Sequence, residues 1–343
     1  MHISEFDYHL PDALIAQEPL ADRGASRMMV VDRSNGEIAD RSFTDLAEFL
    51  HAGDVLVLNN TKVFPARLLG QSETGANVEV FLVRELSAGV WQALARPARR
   101  LPIGKRITFS ESLSAVVVEK STDGKLLVEF SAAADFESAL EQTGRTPLPP
   151  YIRRDADAID RDRERYQTVF AKQRGSIAAP TAGLHFTDDV ISRLGGNGVE
   201  IVEVTLHVGY GTFEPVRVDD ISEHRVSTER YEISEKAAAS LNASKQDGRR
   251  IIAVGTTTTR ALESNITNNQ EFTSGPMSAG LTITPGYEFK AINALLTNFH
   301  LPKSSLLILV STFAGRPLIM KAYEHAVASR YRFYSYGDCM LII

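Results

Sequence analysis

Five polar stretches of this chain carry the residue types from which a reaction centre could be built. GSIAAPTAGLHFT at 175–187 is too irregular for a helix and too polar for a buried strand, and its Gly, Pro and Thr let a backbone approach a ligand or take up φ > 0. His185 stands near its end. Thr187-Asp188-Asp189 follows as an N-cap with an acidic first turn, which opens a helix whose free amides point back toward the loop. A second stretch, LHVGYGTF at 206–213, sets His207 beside glycines and the rings of Tyr210 and Phe213. In AVGTTTTR at 253–260 a strand passes through glycine into a helix, so threonine hydroxyls, free amides and Arg260 could converge on a carboxylate or phosphate. TNFHLPKSS at 297–305 fixes His300 between Phe299 and a Leu-Pro turn, and YRFYSYGD at 331–338 gathers four rings near Asp338. Imidazole ionises near neutrality and suits acid–base chemistry, while rings can cradle a cation or stack on a base. Each histidine also reads as a hydrogen-bonded core residue, and the ring cluster as core packing.

Familiar nucleotide and metal signatures are absent. GQSETGAN at 70–77 begins like a phosphate loop but has Ala-Asn where Lys-Ser/Thr must reach phosphate and magnesium. Gly209-Tyr210-Gly211 lacks the third glycine of a dinucleotide fingerprint, and no His-x-x-x-His pair occurs. ATP, NAD and metal chemistry therefore have little support. The lone Cys339 cannot form an internal disulfide, which fits a reducing cytoplasm. MHISEFDYHLPDAL lacks the basic flank and apolar run of a secretion signal, and the apolar stretch 306–310 is too short to span a bilayer. A net charge of -6 excludes a uniformly basic nucleic-acid binder but leaves room for a local patch. Arg96, Arg99, Arg100, Lys105 and Arg106 form one, either a solvated basic loop or an RNA-phosphate contact.

At 343 residues the chain suggests two domains. Residues 28–31 and 37–39 flank a Ser-Asn-Gly turn and predict a hairpin, after which a capping box at 42–45 opens a short helix. DVLVL at 54–58 predicts a buried strand running into Asn59, Asn60, Thr61 and Lys62, at the strand end where open α/β sheets bind ligands. From 66 to 130, short alternating segments at even spacing predict a small antiparallel barrel. A capped helix at 135–144 and a stiff Pro hinge at 147–150 follow, then a charged stretch, 152–165, that reads as a solvated helix face or linker. Downstream, strands at 199–206, 251–254 and 306–312 alternate with helices at 234–246, 257–265 and 317–329. The expected fold is an α/β main domain with a mixed sheet, residues 1–65 and 148–343, interrupted by an inserted β-barrel domain at 66–147.

Taken together, NNTKVFPARL at 59–68, the 175–187 loop, TLHVGYGTFEPV at 205–216, AVGTTTTRALES at 253–264, LTNFHLPKSSLLILVSTFAG at 296–315 and YRFYSYGDCMLI at 331–342 resemble the S-adenosylmethionine:tRNA ribosyltransferase-isomerase family of queuosine biosynthesis. LPPYI at 148–152 belongs to the same pattern. Thr258-Thr259, Lys62 and Phe170 depart from it, where Ser-Val, Arg and Tyr are usual. The resemblance implies transfer and isomerisation of the ribosyl part of S-adenosylmethionine onto 7-aminomethyl-7-deazaguanine at the tRNA wobble position, with release of adenine and methionine. S-adenosylmethionine would be consumed as a substrate, without a cofactor or metal, by a cytoplasmic monomer whose partner is tRNA.

That chemistry needs a base at the 5′ carbon next to the sulfonium and an acid for departing adenine. The candidates are His185, His207 and His300, with Asp338 behind them. Tyr210, Phe213, Phe299 and Tyr336 could face the sulfonium, while Thr256 to Thr259 and Arg260 suit the methionine carboxylate. Asn59, Asn60 and Thr61 could meet the deazaguanine edge or ribose hydroxyls, and Arg67 and Thr181, inside matching motifs, complete the expected substrate contacts. Two other functions compete: an S-adenosylmethionine-dependent RNA methyltransferase, and a non-catalytic RNA-binding protein.

Overall fold

The structure, a computed structural model, describes residues 1–121, 124–133, 135–154, 159–209 and 216–343. Its main body is a nine-stranded mixed sheet in the order Gly275–Ala279, Glu229–Ile233, Glu200–His207, Val55–Asn59, Ile251–Val254, Ala294–Asn298, Cys339–Ile342, Arg27–Val31, Ile38–Ser42. The four strands from Glu200–His207 to Ala294–Asn298 are mutually parallel. Three of them, VLVLN, IIAV and ALLTN, are buried throughout, as parallel strands covered on both faces require. Side chains alternate between two cores: Val55 and Val57 enter one, Leu56 and Leu58 the other. Helices Glu235–Gln246, Thr256–Asn269, Ser305–Ala314 and Arg316–Ala328 fill the first core through Leu241, Leu262, Leu307 and Ile319. Helix Asp188–Gly196 fills the second through Val190 and Leu194.

The strand Cys339–Ile342 joins distant parts of the chain. It runs parallel to Arg27–Val31, with Met28 opposite Cys339, and antiparallel to Ala294–Asn298, with Leu295 opposite Ile342.

Six antiparallel strands between Arg67 and Ala132 close into a barrel, bearing out the fold class expected from their even spacing. Closure leaves no free edge. Leu68, Val80, Ile107, Val117 and Val128 fill its interior, and helix Phe136–Thr143, capped by Asp135, adds Ala139 and Leu140 to the same core.

The hairpin forms as expected, with Arg27 opposite Ser42 and Val31 opposite Ile38. Thr187 and Ser234 accept from the amides of Val190 and Ala237, which caps their helices. One segment is corrected: residues 306–312 are not a strand but part of helix Ser305–Ala314. A continuous apolar run has no period with which to separate a buried strand from a buried helix, and here the Ser304 cap on Leu307 N decides it. Gly315, at φ +86°, ends this helix and starts Arg316–Ala328, and the pair bends by 118°. Among the described residues no single helix is long and apolar enough to cross a membrane.

The charged stretch is also more than a solvated face. Within it, 155–158 lie outside the described residues, but Asp162 on helix Ile159–Arg165 is buried. It accepts from Arg154 Nε at 2.6 Å and Nη2 at 2.9 Å, and from Tyr336 Oη at 3.0 Å.

Candidate active site

A cavity of about 440 Å³ opens at the C-terminal ends of the parallel strands. Gly255, Thr256 and Thr257, which follow Ile251–Val254, form one side, and Thr297 to His300, at the end of Ala294–Asn298, another. Val208, just past Glu200–His207, contributes a third. This is where open α/β sheets place ligands, because chain leaves neighbouring strands in different directions and opens a crevice. Ala178 to Ala182 and the rings of Tyr151, Tyr166 and Tyr334 complete the walls. The size suits a small-molecule substrate.

Two of the four threonines face inward. Thr258 donates its hydroxyl to Val254 O at 2.6 Å and Thr259 to Gly255 O at 3.1 Å, so both are spent on the helix itself. Thr256 and Thr257 border the cavity instead. Gly255 holds the N-cap position at φ +92°, a conformation that disfavours a side chain, and the helix has no side-chain cap. Its first-turn amides therefore keep their donors for an anion.

Arg260 lies beside the same cavity but is already engaged. Its Nη1 donates to Glu229 Oε2 at 3.0 Å, Nη2 to Ser227 O at 3.0 Å and Ala279 O at 3.1 Å, and Nε to Leu281 O at 3.3 Å. The carboxylate on this guanidinium is thus Glu229, which also accepts from Gly209 N at 3.1 Å.

Of the three histidines named from sequence, only His300 borders the cavity. Its ring is buried and sits 3.0 Å from Thr297 Oγ1, while its backbone amide donates to Tyr323 Oη at 3.0 Å. Burial lowers its pKa to about 3, so the imidazole is neutral near pH 7. His185 faces an adjacent small cleft, separated from the cavity by Asn298. Asn298 Nδ2 donates to His185 Nε2 at 3.2 Å, and Nδ1 of the neutral ring then donates to Ser26 Oγ at 2.9 Å. Burial, aided by Arg332 and Arg23, brings this pKa to about 3 as well. His207 points away from the cavity while its neighbour Val208 faces it, as alternation along extended chain requires. Its Nδ1 meets Thr61 Oγ1 at 2.8 Å and its ring lies flush on Gly175, where a Cβ would come within 2.6 Å of Cε1.

Both rings with pKa near 3 resist protonation when folded but take it up near 6.5 when unfolded. Their contribution to stability is therefore complete above about pH 6.5 and is lost as pH falls toward 3, at about 1.4 kcal/mol per pH unit for each ring. Melting temperature should drop between pH 6.5 and 5, and His300→Gln should shallow that drop. A melting temperature flat over this interval would contradict the burial argument.

Other expected site residues serve the scaffold. Asn59 accepts from Thr61 N at 3.2 Å and Leu206 N at 2.9 Å and donates to Leu206 O at 3.0 Å, completing the backbone pairing of two parallel strands. Asn60 donates to Glu203 at 3.1 Å and accepts from Thr205 at 2.7 Å. Neither these nor Thr61 lines the cavity. Asp338 is buried and accepts from Arg27 N at 3.0 Å and Arg332 N at 2.8 Å; burial raises its pKa, and it too lies off the cavity. Arg67 pairs with Glu79 at 2.7 Å on the barrel. Tyr336 belongs to the small cleft with its hydroxyl on Asp162. Phe299 borders the cavity, yet its ring packs against Tyr323, Tyr331 and Phe333 at 5.2–5.5 Å between centroids. Thr181 lines the cavity, and Tyr210 and Phe213 lie outside the described residues. On the barrel, Arg96, Arg99, Arg100 and Arg106 are exposed, and Lys105 pairs with Glu73 at 3.1 Å.

Sequence reasoning missed Tyr151, Tyr166 and Glu229, and named Tyr334 only as one of the four rings of 331–338. Tyr151 and Tyr334 pack at 4.0 Å between centroids, and the buried hydroxyl of Tyr334 has no protein partner among the described residues. Tyr151 stands after Pro149-Pro150, where proline signals a turn and hides the ring, and Glu229 has no local pattern around it. Among the described residues no group of three His, Cys, Asp or Glu converges as a metal site.

Comparisons with known proteins agree with this architecture. The family model described as "Queuosine biosynthesis protein" matches residues 3–342. Proteins named S-adenosylmethionine:tRNA ribosyltransferase-isomerase from Geotalea uraniireducens and Syntrophotalea carbinolica are 51% and 50% identical to this chain, each covered in full in both directions. A crystal structure of S-adenosylmethionine tRNA ribosyltransferase from Thermotoga maritima superposes with a TM-score of 0.56 at 38% identity, covering 99% of this chain and 100% of its own. With the family model matched end to end and half of all residues shared with such relatives, the chain belongs to the queuosine biosynthesis protein family of S-adenosylmethionine:tRNA ribosyltransferase-isomerases.

Proposed function

We propose that this chain transfers and isomerises the ribosyl group of S-adenosylmethionine onto 7-aminomethyl-7-deazaguanine at the wobble position of tRNA, releasing adenine and methionine and leaving epoxyqueuosine. S-adenosylmethionine is consumed as a substrate, no cofactor takes part, and the enzyme acts as a cytoplasmic monomer. One observation carries the assignment of the site: a helix N-terminus without a side-chain cap, a neutral buried imidazole and three tyrosine rings meet at a single cavity of about 440 Å³.

Each part answers a demand of the substrate. The methionine carboxylate sits on the first-turn amides of helix Thr256–Asn269 with the hydroxyls of Thr256 and Thr257. The sulfonium lies against the faces of Tyr151 and Tyr334, where ring quadrupoles favour a cation. A ribose hydroxyl takes the free hydroxyl of Tyr334. The sulfonium acidifies the 5′ carbon, and His300, neutral and facing the same space, is assigned the proton transfer that this carbon requires. Arg260 and Glu229 hold the wall rather than the substrate. Arg96, Arg99, Arg100 and Arg106 are left to meet RNA phosphates from the barrel.

Thr256→Val and Thr257→Val should each raise KM for S-adenosylmethionine by roughly tenfold or more, the worth of a hydrogen bond to a charged group, with a smaller effect on kcat. Steady-state kinetics decide this, and an unchanged KM in both variants would remove the helix N-terminus from the site. The reaction itself is tested by incubation with S-adenosylmethionine and tRNA bearing the 7-aminomethyl base, followed by chromatography. Adenine and methionine should appear in equal amounts. S-adenosylhomocysteine would instead mark a methyltransferase, and salt-sensitive RNA binding without turnover a non-catalytic binder.

A further inference from the structure

Beside the main cavity, and meeting it at Ser335, lies a second and smaller cleft walled by Arg23, Arg165, His185 and Tyr336. Its space is small, about 20 Å³, and open to solvent on one side. Arg23 and Arg165 are half-buried there, and Arg332, also half-buried, stands close enough to act on the His185 ring.

What sets these arginines apart is the chemistry of their partners. Arg23 donates to Leu184 O at 3.2 Å and Glu164 O at 3.1 Å. Arg165 donates to Ala21 O at 2.8 Å and Leu20 O at 2.7 Å, and Arg332 to Glu18 O. Every acceptor among the described residues is a main-chain carbonyl, so the side chains are held in place without a direct ion pair, and Glu164 and Asp338 act on Arg23 and Arg332 only through space. Arg165 Nε and Arg332 Nη1 are buried donors without a protein acceptor. The carboxylates nearby are committed or outside: Glu18 pairs with Arg161 and Arg154, Asp162 with Arg154, Asp338 with two backbone amides, and Glu164 is exposed. Burial and then the charge of Arg165 lower the Arg23 pKa, the mark of two guanidiniums crowded in a poorly solvated place. An anion bridging them would relieve that repulsion.

We infer that this cleft is a phosphate subsite, in which Arg23 and Arg165 take a backbone phosphodiester flanking the nucleotide whose base enters the main cavity, with Arg332 adding positive charge from behind. The assignment rests on the reading of tRNA as the substrate. Geometry favours a phosphodiester over a free anion, because the cleft is shallow and opens beside the larger cavity, where a chain anchored by its base in that cavity would pass. Contacts of this kind fix the register of a nucleic acid without reading its sequence.

The test uses the full chain and an anticodon stem-loop RNA carrying the 7-aminomethyl base, with binding followed by fluorescence anisotropy from low to high salt. Arg23→Gln and Arg165→Gln should each lower the slope of log Kd against log salt by about 1, whereas Arg165→Lys should keep it. Because Arg165 also holds Leu20 and Ala21, a second arm leaves the protein unaltered and replaces single phosphodiesters around the modified nucleotide by neutral methylphosphonates. One such linkage should weaken binding to the natural chain by about tenfold and add nothing to the loss in Arg165→Gln. Uniform weakening by all linkages, or equal weakening in both proteins, would overturn the subsite. So would stabilisation by inorganic phosphate joined to an unchanged RNA salt slope in the variants, which would assign the cleft to a free anion. Binding through the cleft with no adenine released from S-adenosylmethionine would refute the reaction and leave the subsite standing.

Discussion

Arg260→Met should lower the free energy of unfolding by about 3–5 kcal/mol, the cost of removing one member of a buried ion pair. Both partners are buried, Arg260 at 7% and Glu229 at 4% exposure, so water cannot take over the lost interaction. The substitution also strips a donor from the carbonyls of Ser227, Ala279 and Leu281, which Arg260 ties to helix Thr256–Asn269. Those ties set the distance between the strands beginning at Glu229 and ending at Ala279 and the helix that forms one side of the cavity. Substrate binding should therefore weaken together with stability, although the guanidinium never touches substrate. In the double variant Arg260→Met/Glu229→Leu the remaining buried charge is gone, and most of the stability should return. Denaturant titration of the three variants gives the cycle. A single variant within about 1 kcal/mol of the parent would mean that solvent reaches Glu229 and that the pair is not closed.

His300→Ala should reduce turnover by at least about a hundredfold while leaving the fold intact, the usual scale for losing a group that handles a proton in the transition state. His207→Ala should reduce it far less, since its ring faces Thr61 and Gly175 on the far side of the extended chain from the cavity. The pH dependence separates a specific role from a general one. With a pKa of about 3, His300 stays neutral through mild acid, so no loss of kcat near pH 6.5 should trace to it. A wild-type inflection near 6.5 that vanishes in His300→Gln would show an ordinary, solvated imidazole and undo the assignment. Near-normal turnover in His300→Ala would do the same.

Much of the scaffold was legible in the sequence because its signals are local. Even spacing of short alternating strands gave the barrel, and caps such as Thr187, Ser234 and Asp135 marked helix starts that the structure reproduces. Helix Ser305–Ala314 was misread because an unbroken apolar run carries no period, and burial on every side is compatible with either geometry. The edge strand Gly275–Ala279 and its neighbour Glu229–Ile233 escaped notice because their half-buried, mixed composition gains meaning only from the strands beside them. In the site, polarity at a strand end was informative at Thr256, Thr257 and His300 and misleading at Asn59, Asn60 and Thr61. The difference is what lies across the gap. Gly255 turns the chain into a helix that opens toward the cavity, whereas Asn59 meets the backbone of Leu206 and is absorbed as an extra rung between strands. No sequence pattern distinguishes a side chain that completes a sheet from one that waits for a ligand. The tyrosine walls were hidden for a related reason, since Tyr151, Tyr166 and Tyr334 come from three separate segments and meet only after folding.

The placement of Cys339–Ile342 between Arg27–Val31 and Ala294–Asn298 has a consequence for biogenesis. While the ribosome is still producing the residues before 339, the nascent sheet lacks its seam, and two apolar borders stand open that would later face each other across one strand. Such borders are templates for pairing with other chains. Productive assembly thus hinges on a late insertion, and crowded synthesis or a stall near that point exposes the molecule to intermolecular zippering well before any catalytic cleft exists.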